Sequence, residues 1–360
     1  AARHYRLPML EESPRVTVGI PVYRGEKHIL EAIASVRADA YADWEILVFD
    51  DCSPDSSAEL IAGIEDSRIR IISSPTNLGL VNARNRILEE SRGEFLAWLD
   101  QDDVNYPCRL AKQVAFLDAH PDVSLIASWT DLRVESEEGP IDTYTHVQPS
   151  DHASIRAAIP FTNPIACNTV MMRSKHFQEK GFAFREEFGN TLDYDLWSRA
   201  SDNLTFHALR EPLGAYRVHS QQTSRGAELE RMNQCALQVQ SDFLQRNLHV
   251  SMSQEERKLH AKLTQAPIQS TARSIFEPAK AWLAKLRAAG VMSKQLDQKA
   301  FDSVIAQQWF RFLSASDELS TREKLFQCVQ GVRDIGIPWG PTTDALRSAL
   351  NSRRLRHHLK

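Results

Sequence analysis

The chain of 360 residues has no long apolar run and few cysteines. No stretch approaches the ~20 consecutive apolar residues of a membrane-spanning helix, so the sequence predicts none. Its cysteines are an odd number and have no metal-type spacing, which argues against a disulfide framework and indicates a reducing compartment. With a net charge of only -4, the chain has no overall attraction to nucleic acid or anionic lipid. The cysteines are Cys52, Cys108, Cys167, Cys235 and Cys328.

The first 14 residues are predicted to be an N-terminal extension. Arg3, His4 and Arg6 precede a short apolar stretch that lacks the length of a signal-peptide core, so we expect a cytoplasmic protein. The composition, 42% hydrophobic and 25% charged, is that of an ordinary globular chain. A chain of this length is expected to form about two domains.

Residues 16–135 alternate between short apolar runs and segments with apolar residues at helical spacing. This alternation predicts an α/β fold, in which a mostly parallel sheet is covered by helices on both faces. Ligands of such sheets bind beyond the carboxyl ends of the strands. The predicted strands are 16–20, 45–49, 69–72 and 95–99.

The last of these strands runs directly into three acids, Asp100, Asp102 and Asp103. Carboxylates so close together repel one another unless a cation or well-placed donors share the site. No His or Cys lies beside them, so a hard divalent ion with oxygen ligands is the metal they favour. The alternative is an acidic helix N-terminus, because Pro107 and the apolar spacing after it predict a helix there.

Polar residues also follow the other predicted strands. Pro21 and Tyr23 end the first strand, Asp50 and Asp51 end the second, and Arg84 lies just inside the third helix. Each has a purely structural alternative, since the aspartates could cap the next helix and the proline could simply end its strand. Their recurrence at successive strand ends favours a binding site at this edge of the sheet.

Residues 15–225 resemble the family 2 glycosyltransferases of GT-A fold. The nucleotide-sugar-binding half is predicted over 15–135 and the acceptor half over 136–225. No single motif carries the resemblance, which depends on the order of all of them. The motifs are IPVYRGEKHILEAIASV, WEILVFDDCSPDSS, NLGLVNARNRIL, GEFLAWLDQDD, NYPCRLAKQVAFLDAHPDV, NPIACNTVMMRSKHF, LDYDLWSRA and PLGAYRVHSQQTS.

The resemblance implies a nucleotide site at the strand ends. Pro21, Tyr23, Asp50 and Asp51 correspond to the residues that hold the base and ribose, and Arg84 to an arginine beside the uracil or diphosphate. Arg24 stands where the family most often has asparagine, which leaves the details of nucleotide contact open.

The acidic cluster matches the family's DXD motif. Asp100 matches its first acid and Asp102 its last, which binds Mn²⁺ or Mg²⁺, and Asp103 is the usual extra acid. Further along the chain Arg217 is implied to contact the nucleotide-sugar, and His219 to join Asp102 at the metal.

The catalytic base implied by the resemblance is Asp193, the second residue of the family's ED motif. The glutamate that normally precedes it is Leu192 here, and Asp195 nearby leaves open which of the two aspartates is the base. The structural alternative for Asp193 is charge at a helix N-terminus.

The resemblance implies a metal-dependent, inverting hexosyl- or N-acetylhexosaminyltransferase. It would use a nucleotide-diphosphate sugar, with UDP favoured, and a glycan, glycolipid or glycoprotein acceptor in polysaccharide or glycoconjugate synthesis. One alternative is a sugar nucleotidyltransferase, but residues 19–27 supply no convincing Gly-rich phosphate loop. Another is a non-catalytic scaffold with a decayed GT-A domain, against which the intact acids at each strand end argue.

Two segments outside the motifs carry further predictions. Residues 136–140 read as a hairpin turn and residues 142–149 as a polar connecting segment. Residues 226–360 are predicted to form a helical domain, which offers a surface for a homo-oligomer. The last residues, 347–360, are basic with interspersed leucines, which fits either a solvated helix face or weak peripheral contact with the inner face of the membrane.

Overall fold

The computed structural model of the chain describes residues 13–136, 139–218, 226–265 and 272–338. His219, most of the N-terminal extension and the basic end of the chain lie outside these ranges.

The first part of the chain alternates strands and helices as predicted. Strands β1, β2 and β4 are buried along their whole length, which is why their sequences read as continuous apolar runs rather than alternating ones. The elements are β1 (Val16–Val22), α1 (Ile29–Arg37), β2 (Trp44–Asp50), α2 (Ser57–Ala62), β3 (Ile69–Ser73), α3 (Leu80–Glu90) and β4 (Phe95–Trp98).

The second part of the chain completes the sheet. Its elements are β5 (Val104–Asn105), α4 (Arg109–Ala119), β6 (Val123–Ser136), β7 (Gly139–His146), α5 (His152–Ala158), β8 (Met171–Arg173), α6 (Ser174–Glu179), α7 (Leu192–Ala200) and β9 (Thr205–Val218). The strand order is β3-β2-β1-β4-β8-β6-β9-β5. Strand β7 lies off this path and pairs with residues 130–136 of β6. The first four strands are parallel, while β8 runs antiparallel to both neighbours. The α/β prediction is therefore confirmed.

Two local predictions differ from the structure. Pro21 does not stop its strand but lies inside β1, which is tolerated because β4 pairs with β1 only from Val16 to Gly19. Residues 142–146 are part of strand β7 rather than a connecting segment, since threonine and tyrosine fit a pleated surface well. The hairpin is confirmed, because β6 and β7 pair antiparallel up to Ser136 and Gly139.

Among the described residues after β9, five α-helices follow, as the sequence predicted for its C-terminal part. They are α8 (Ala227–Leu248), α9 (Gln254–Thr264), α10 (Phe276–Ser293), α11 (Gln298–Ser314) and α12 (Thr321–Ile335). Ser253 and Ser320 cap α9 and α12, each with a glutamate three residues on that bonds back to the cap. Over the described ranges, no helix has the length and apolarity needed to cross a bilayer.

The C-terminal helices share their core with residues that lie between β7 and β9. Residues from α8 to α12 form one buried apolar cluster with Phe161, Phe188 and Tyr194, which precede α8 in the chain. Two other apolar clusters lie on the two faces of the sheet. The helical region is therefore packed directly against the segments that follow β7.

Candidate active site

The end of β1 is tied to the acidic turn after β4 by the side chain of Gln101. The Tyr23 amide donates to Oε1 of Gln101 at 2.9 Å, and Nε2 of Gln101 donates back to the Tyr23 carbonyl at 3.1 Å. This two-bond bridge places the aromatic ring and the acids at the same edge of the sheet. Sequence reasoning missed Gln101, whose only signal is its position between two of the acids.

The three acids of this turn have different surroundings. Asp100 pairs with Nη2 of Arg84 at 2.6 Å, whereas buried Asp103 accepts from Nδ2 of Asn168 at 2.7 Å and from the Arg217 amide at 3.0 Å. Burial raises the pKa of both Asp100 and Asp103, and the charge of half-buried Asp102 raises each further. The carboxylates of the turn therefore repel one another, as their spacing in the sequence predicts.

This donor set fits a hard divalent cation that takes its remaining ligands from elsewhere. The oxygens are of the type such ions prefer, and a cation would relieve the repulsion among the carboxylates. Within the described ranges, no three His, Cys, Asp or Glu side chains form a complete metal site. His219, the other predicted ligand, lies outside those ranges.

Asp51, directly after β2, holds the loop that precedes α3. The Leu78 amide donates to one carboxylate oxygen of Asp51 at 2.7 Å and the Gly79 amide to the other at 2.8 Å. Asp50, also buried, accepts from the Ser53 amide at 3.3 Å. The Asp51 amide donates to the carbonyl of Val22, so this corner adjoins the end of β1.

Arg84 lies under the acidic turn. Its guanidinium is buried over the ring of Trp98, 5.2 Å from the centroid, and it donates to the sulfur of Cys167 as well as to Asp100. Burial alone would lower the pKa of Arg84, but the negative charges of Asp100 and Asp193 contribute to raising it. Burial raises the pKa of the Cys167 thiol, so this cysteine is neutral at pH 7.

Asp193 begins the first turn of α7 and faces the same site. One oxygen accepts from Nδ2 of Asn163 at 3.0 Å and the other from the Tyr194 amide at 2.7 Å. Burial raises the pKa of Asp193, with Arg84 opposing the shift. The sequence singled out no role for Asn163, because its partner is 30 residues away.

Asp195, the other candidate base, has a different environment. It is buried, and both of its oxygens are taken by arginines, one by Arg185 and the other by Arg199 at 2.8 Å. These ion pairs brace α7 against the segment before it. Asp193, by contrast, lies within electrostatic reach of Arg84 and Asp100.

Arg217 holds the backbone of the acidic turn. Its Nε donates to the carbonyl of Asp102 at 2.8 Å, and the rest of its guanidinium pairs with Glu31 at 2.7 Å and with Glu135. The side chain thus joins α1, β6 and the turn. Its predicted contact with the nucleotide-sugar stays a prediction.

Tyr216 shows that the acidic turn and Asp193 converge. Burial raises the pKa of its hydroxyl, and the charges of Asp103, Asp100, Asp102 and Asp193 all raise it further. One side chain therefore lies near both groups. The arrangement can hold an anionic ligand with its cation on one side and accept a proton at Asp193 on the other.

Comparison of the sequence with known proteins also indicates a glycosyltransferase. Residues 17–182 match the model of "Glycosyl transferase family 2". An "Uncharacterized glycosyltransferase" of Haemophilus influenzae is 32% identical over 222 residues, 60% of this chain and 69% of the relative. The "Succinoglycan biosynthesis protein ExoO" of Rhizobium meliloti is 37% identical over 112 residues, 31% of this chain and 32% of that protein.

Among solved structures, residues 1–349 of S. aureus TarS in complex with UDP-GlcNAc are similar to this chain. The TM-score is 0.53 with 17% identity, and the match covers 95% of this chain and 92% of TarS 1–349. At this identity the likeness establishes a shared fold.

Proposed function

The chain belongs to glycosyl transferase family 2, and on this premise we propose that it moves a hexosyl or N-acetylhexosaminyl group from a UDP-sugar to a hydroxyl acceptor, with a divalent metal ion and with inversion. The observation that carries the proposal is the convergence of the acidic turn and Asp193 on Arg84 and Tyr216. The family resemblance drawn from the motifs is confirmed, and so is the assignment as a glycosyltransferase.

The donor would lie at the ends of β1, β2 and β4. Tyr23 is 40% exposed at this edge and can cover the base. Pro21, Asp50 and Asp51 would line the nucleotide site beneath the base. Arg84 and Arg217 bring positive charge near Asp100, where the diphosphate would lie. The UDP-GlcNAc complex of TarS, which has the same fold, supports a UDP-sugar as the donor.

Asp102 and His219 are proposed to hold Mn²⁺ or Mg²⁺ beside the diphosphate. When bound, such an ion acts as a Lewis acid that stabilises the negative charge of the leaving diphosphate. The support within this chain is the repulsion among the carboxylates of the turn: in addition to burial, the charge of Asp102 raises the pKa of Asp100 and Asp103.

On the opposite side of the sugar, Asp193 is proposed to accept the proton of the attacking hydroxyl. The hydroxyl oxygen forms the new bond to the anomeric carbon as the bond to the diphosphate breaks, so a single displacement inverts that carbon. A base whose pKa is raised by burial is better matched to proton transfer near neutral pH than an ordinary aspartate. Asn163 and the Tyr194 amide hold the carboxylate in place.

The direct test incubates the full chain with a panel of UDP-, GDP- and dTDP-sugars and Mn²⁺ or Mg²⁺, and measures nucleotide release. We expect a UDP-sugar to release UDP only when metal is present, and the product to have inverted anomeric configuration by NMR. Formation of pyrophosphate would instead favour a sugar nucleotidyltransferase. Absence of nucleotide release from the whole panel would contradict the proposal.

The role of Asp193 is tested by Asp193→Asn. We expect turnover to fall by roughly 10²–10⁴-fold, because the amide cannot accept the proton, while UDP binding measured by calorimetry is unchanged. Asp151→Asn is the matched control, since Asp151 caps α5 and asparagine caps equally well. Near-normal turnover of Asp193→Asn would remove it as the base.

The proposed setting is polysaccharide or glycoconjugate synthesis on the cytoplasmic side of the membrane, with a glycan, glycolipid or glycoprotein acceptor. The name of the succinoglycan relative supports this class of product. The basic end of the chain would contact the inner membrane face, and the C-terminal helices would offer a surface for a homo-oligomer. Flotation with anionic vesicles tests the membrane contact, and equal recovery of full-length and C-terminally truncated protein would disprove it.

A further inference from the structure

The C-terminal helices reach the segment that orients the proposed base. Residues 159–163 connect α5 to the stretch before β8, and they pack into the apolar cluster formed with α8 to α12. Phe161 is fully buried there, with its ring centroid 5.7 Å from His260 of α9 and 6.2 Å from Phe301 of α11.

His260 holds the backbone of this segment by a hydrogen bond. Its Nε2 lies 2.8 Å from the Pro160 carbonyl, and Nε1 of Trp282 lies 3.1 Å from its Nδ1. The carbonyl requires a donor and the indole N–H requires an acceptor, so the ring is neutral with its proton on Nε2. His260 is completely buried, and each of its nitrogens has a partner.

A second set of polar contacts holds the same segment from α7 and α8. The hydroxyl of Tyr194, the residue after Asp193, donates to the carbonyl of Ile159. Burial raises the pKa of this hydroxyl, and the side chain of buried Gln240 in α8 opposes that shift, so Gln240 lies close to it. Oγ1 of Thr264 in α9 lies 3.3 Å from the Gln240 amide oxygen. Residues 159–163 are thus held by Tyr194 of α7 as well as by the C-terminal helices.

The far end of the segment carries the contact with the base. Asn163 donates from Nδ2 to Asp193 at 3.0 Å, and its amide oxygen accepts from the Ile165 amide at 3.3 Å. Because both ends of the Asn163 amide are engaged, its orientation is defined. The position of Asn163 therefore sets the direction in which one Asp193 oxygen is held.

Polar groups inside an apolar core select one arrangement of the elements around them. Apolar side chains tolerate small shifts, but a buried donor or acceptor that loses its partner costs the full penalty of desolvation. The contacts of His260, Trp282 and Tyr194 are satisfied together only if the helices and residues 159–163 keep their present register. This supplies a physical reason for polar residues in the cluster.

We propose that helices α8 to α11 serve the acceptor side of the transfer reaction by holding residues 159–163, with Asn163 and His260 as positioning residues for Asp193. The proposal rests on the proposed role of Asp193 as the base. It assigns a function to the helical region that the family motifs do not cover.

The structural half of the proposal is tested by hydrogen exchange in the full-length chain. His260→Leu nearly keeps the volume but removes both hydrogen bonds, so we expect the amides of Phe161, Thr162, Asn163 and Ile165 to exchange about tenfold faster. Val332→Ala is the control: it creates a cavity in α12, within the same cluster, but should leave these amides unchanged. If His260→Leu does not fold, Trp282→Phe is measured instead, since it removes the indole N–H together with part of the ring and leaves His260 in place. Unchanged exchange of residues 161–165 in these variants would overturn the proposal.

The catalytic half is tested by the pH dependence of UDP release, with water as acceptor and the UDP-sugar that the wild type turns over fastest. Asn163→Asp puts a second carboxylate beside Asp193, so we expect the acid limb of turnover to move up by about one pH unit while UDP affinity is unchanged. A role of Asn163 in folding alone would not move the pH profile. An unmoved profile and normal turnover would overturn the assignment of Asn163.

The two proposals fail in different ways. If no UDP-sugar is turned over, or if Asp193→Asn is active, the proposed function or its base is wrong, while hydrogen exchange still decides whether the helices hold residues 159–163. If Asp193→Asn is inactive but turnover and its pH profile are the same in Asn163→Asp and His260→Leu as in the wild type, the proposed function stands and the further inference is wrong.

Discussion

At the scale of single residues, Asp51 illustrates how one carboxylate can organise a loop of the candidate site. Each of its oxygens accepts one backbone N–H, from Leu78 and from Gly79. This arrangement explains why an acid is needed here whether or not it also contacts the nucleotide.

We predict that Asp51→Asn lowers the free energy of unfolding by about 1–3 kcal/mol and weakens UDP binding. Asparagine has a single acceptor oxygen, so its NH₂ group must face one of the two amide donors and leave it without a partner. Urea unfolding and calorimetry with UDP measure the two effects. Wild-type values for both would show that the two amides do not depend on the carboxylate.

His260 predicts a pH dependence of stability. Burial lowers its pKa from 6.5 to about 4, and the nearby charge of Arg257 adds to the shift. A histidine that is neutral in the folded state contributes stability that is fully present above pH 6.5 and is lost as the pH falls toward 4. The full loss amounts to roughly 3 kcal/mol.

We therefore expect the free energy of unfolding to fall between pH 7 and pH 4.5 by less in His260→Gln than in the wild type. Glutamine keeps a donor for the Pro160 carbonyl but does not titrate. Urea unfolding at several pH values gives the comparison, and other histidines whose pKa is lowered, such as His146 and His152, act equally in both proteins. Parallel pH curves for wild type and variant would contradict the assignment.

At the scale of elements, α11 and α12 show both the reach and the limit of helical periodicity. The spacing of apolar residues predicted both helices, and Val332 is buried as expected. Val329, on the same predicted face, is nevertheless 40% exposed. The buried side of α12 is the side that contacts Trp309, and it is narrower than the face predicted from the apolar spacing.

That contact leads to a prediction for Gly331. A methyl group there would lie 2.1 Å from Nε1 of Trp309, which is buried and donates to the Gln327 carbonyl at 3.1 Å. The ring has no room to move, so Gly331→Ala should destabilise by about 1–3 kcal/mol through overpacking, despite the higher helix propensity of alanine.

Gly63→Ala provides the control for this substitution. Gly63 ends α2 with a right-handed backbone, and an added methyl group would approach nothing closer than 3.6 Å. We expect its free energy of unfolding in urea to stay within a few tenths of a kcal/mol of the wild type. Equal losses in the two variants would show that the Trp309 contact is not responsible.

At the scale of the whole molecule, the shared apolar cluster couples the C-terminal helices to the part of the chain between β7 and β9. Removing the helices would expose large buried side chains, such as Phe161 and Tyr194, that precede them in the chain. The packing therefore favours unfolding as one cooperative unit.

We predict a single calorimetric transition for the full-length chain. Leu283→Ala, in the middle of α10, should cost about 2–5 kcal/mol and shift that transition without splitting it, because its cluster includes residues of both parts. Scanning calorimetry gives the number of transitions. Two well-separated transitions, with only one moved by Leu283→Ala, would contradict a shared core.

Much of the architecture and half of the candidate site could be predicted from local pattern. Continuous apolar runs predicted β1, β2 and β4, and the polar residues that follow them lie together because neighbouring parallel strands end at one edge. These features depend on residues close in sequence, so the spacing of apolar and polar residues along one sequence is enough to predict them.

The sequence by itself determined the alternation of strands and helices, the acidic turn at the end of β4 and the helical character of the C-terminal part. Only the tertiary structure decided which polar groups meet: Asn163 with Asp193 across 30 residues, His260 with Pro160 across 100, and Arg217 with Glu31 across 186. The physical reason is that periodicity reports how deeply a residue is buried and on which face. The partner of a buried polar group is set by the packing of distant elements, which leaves no mark on local spacing.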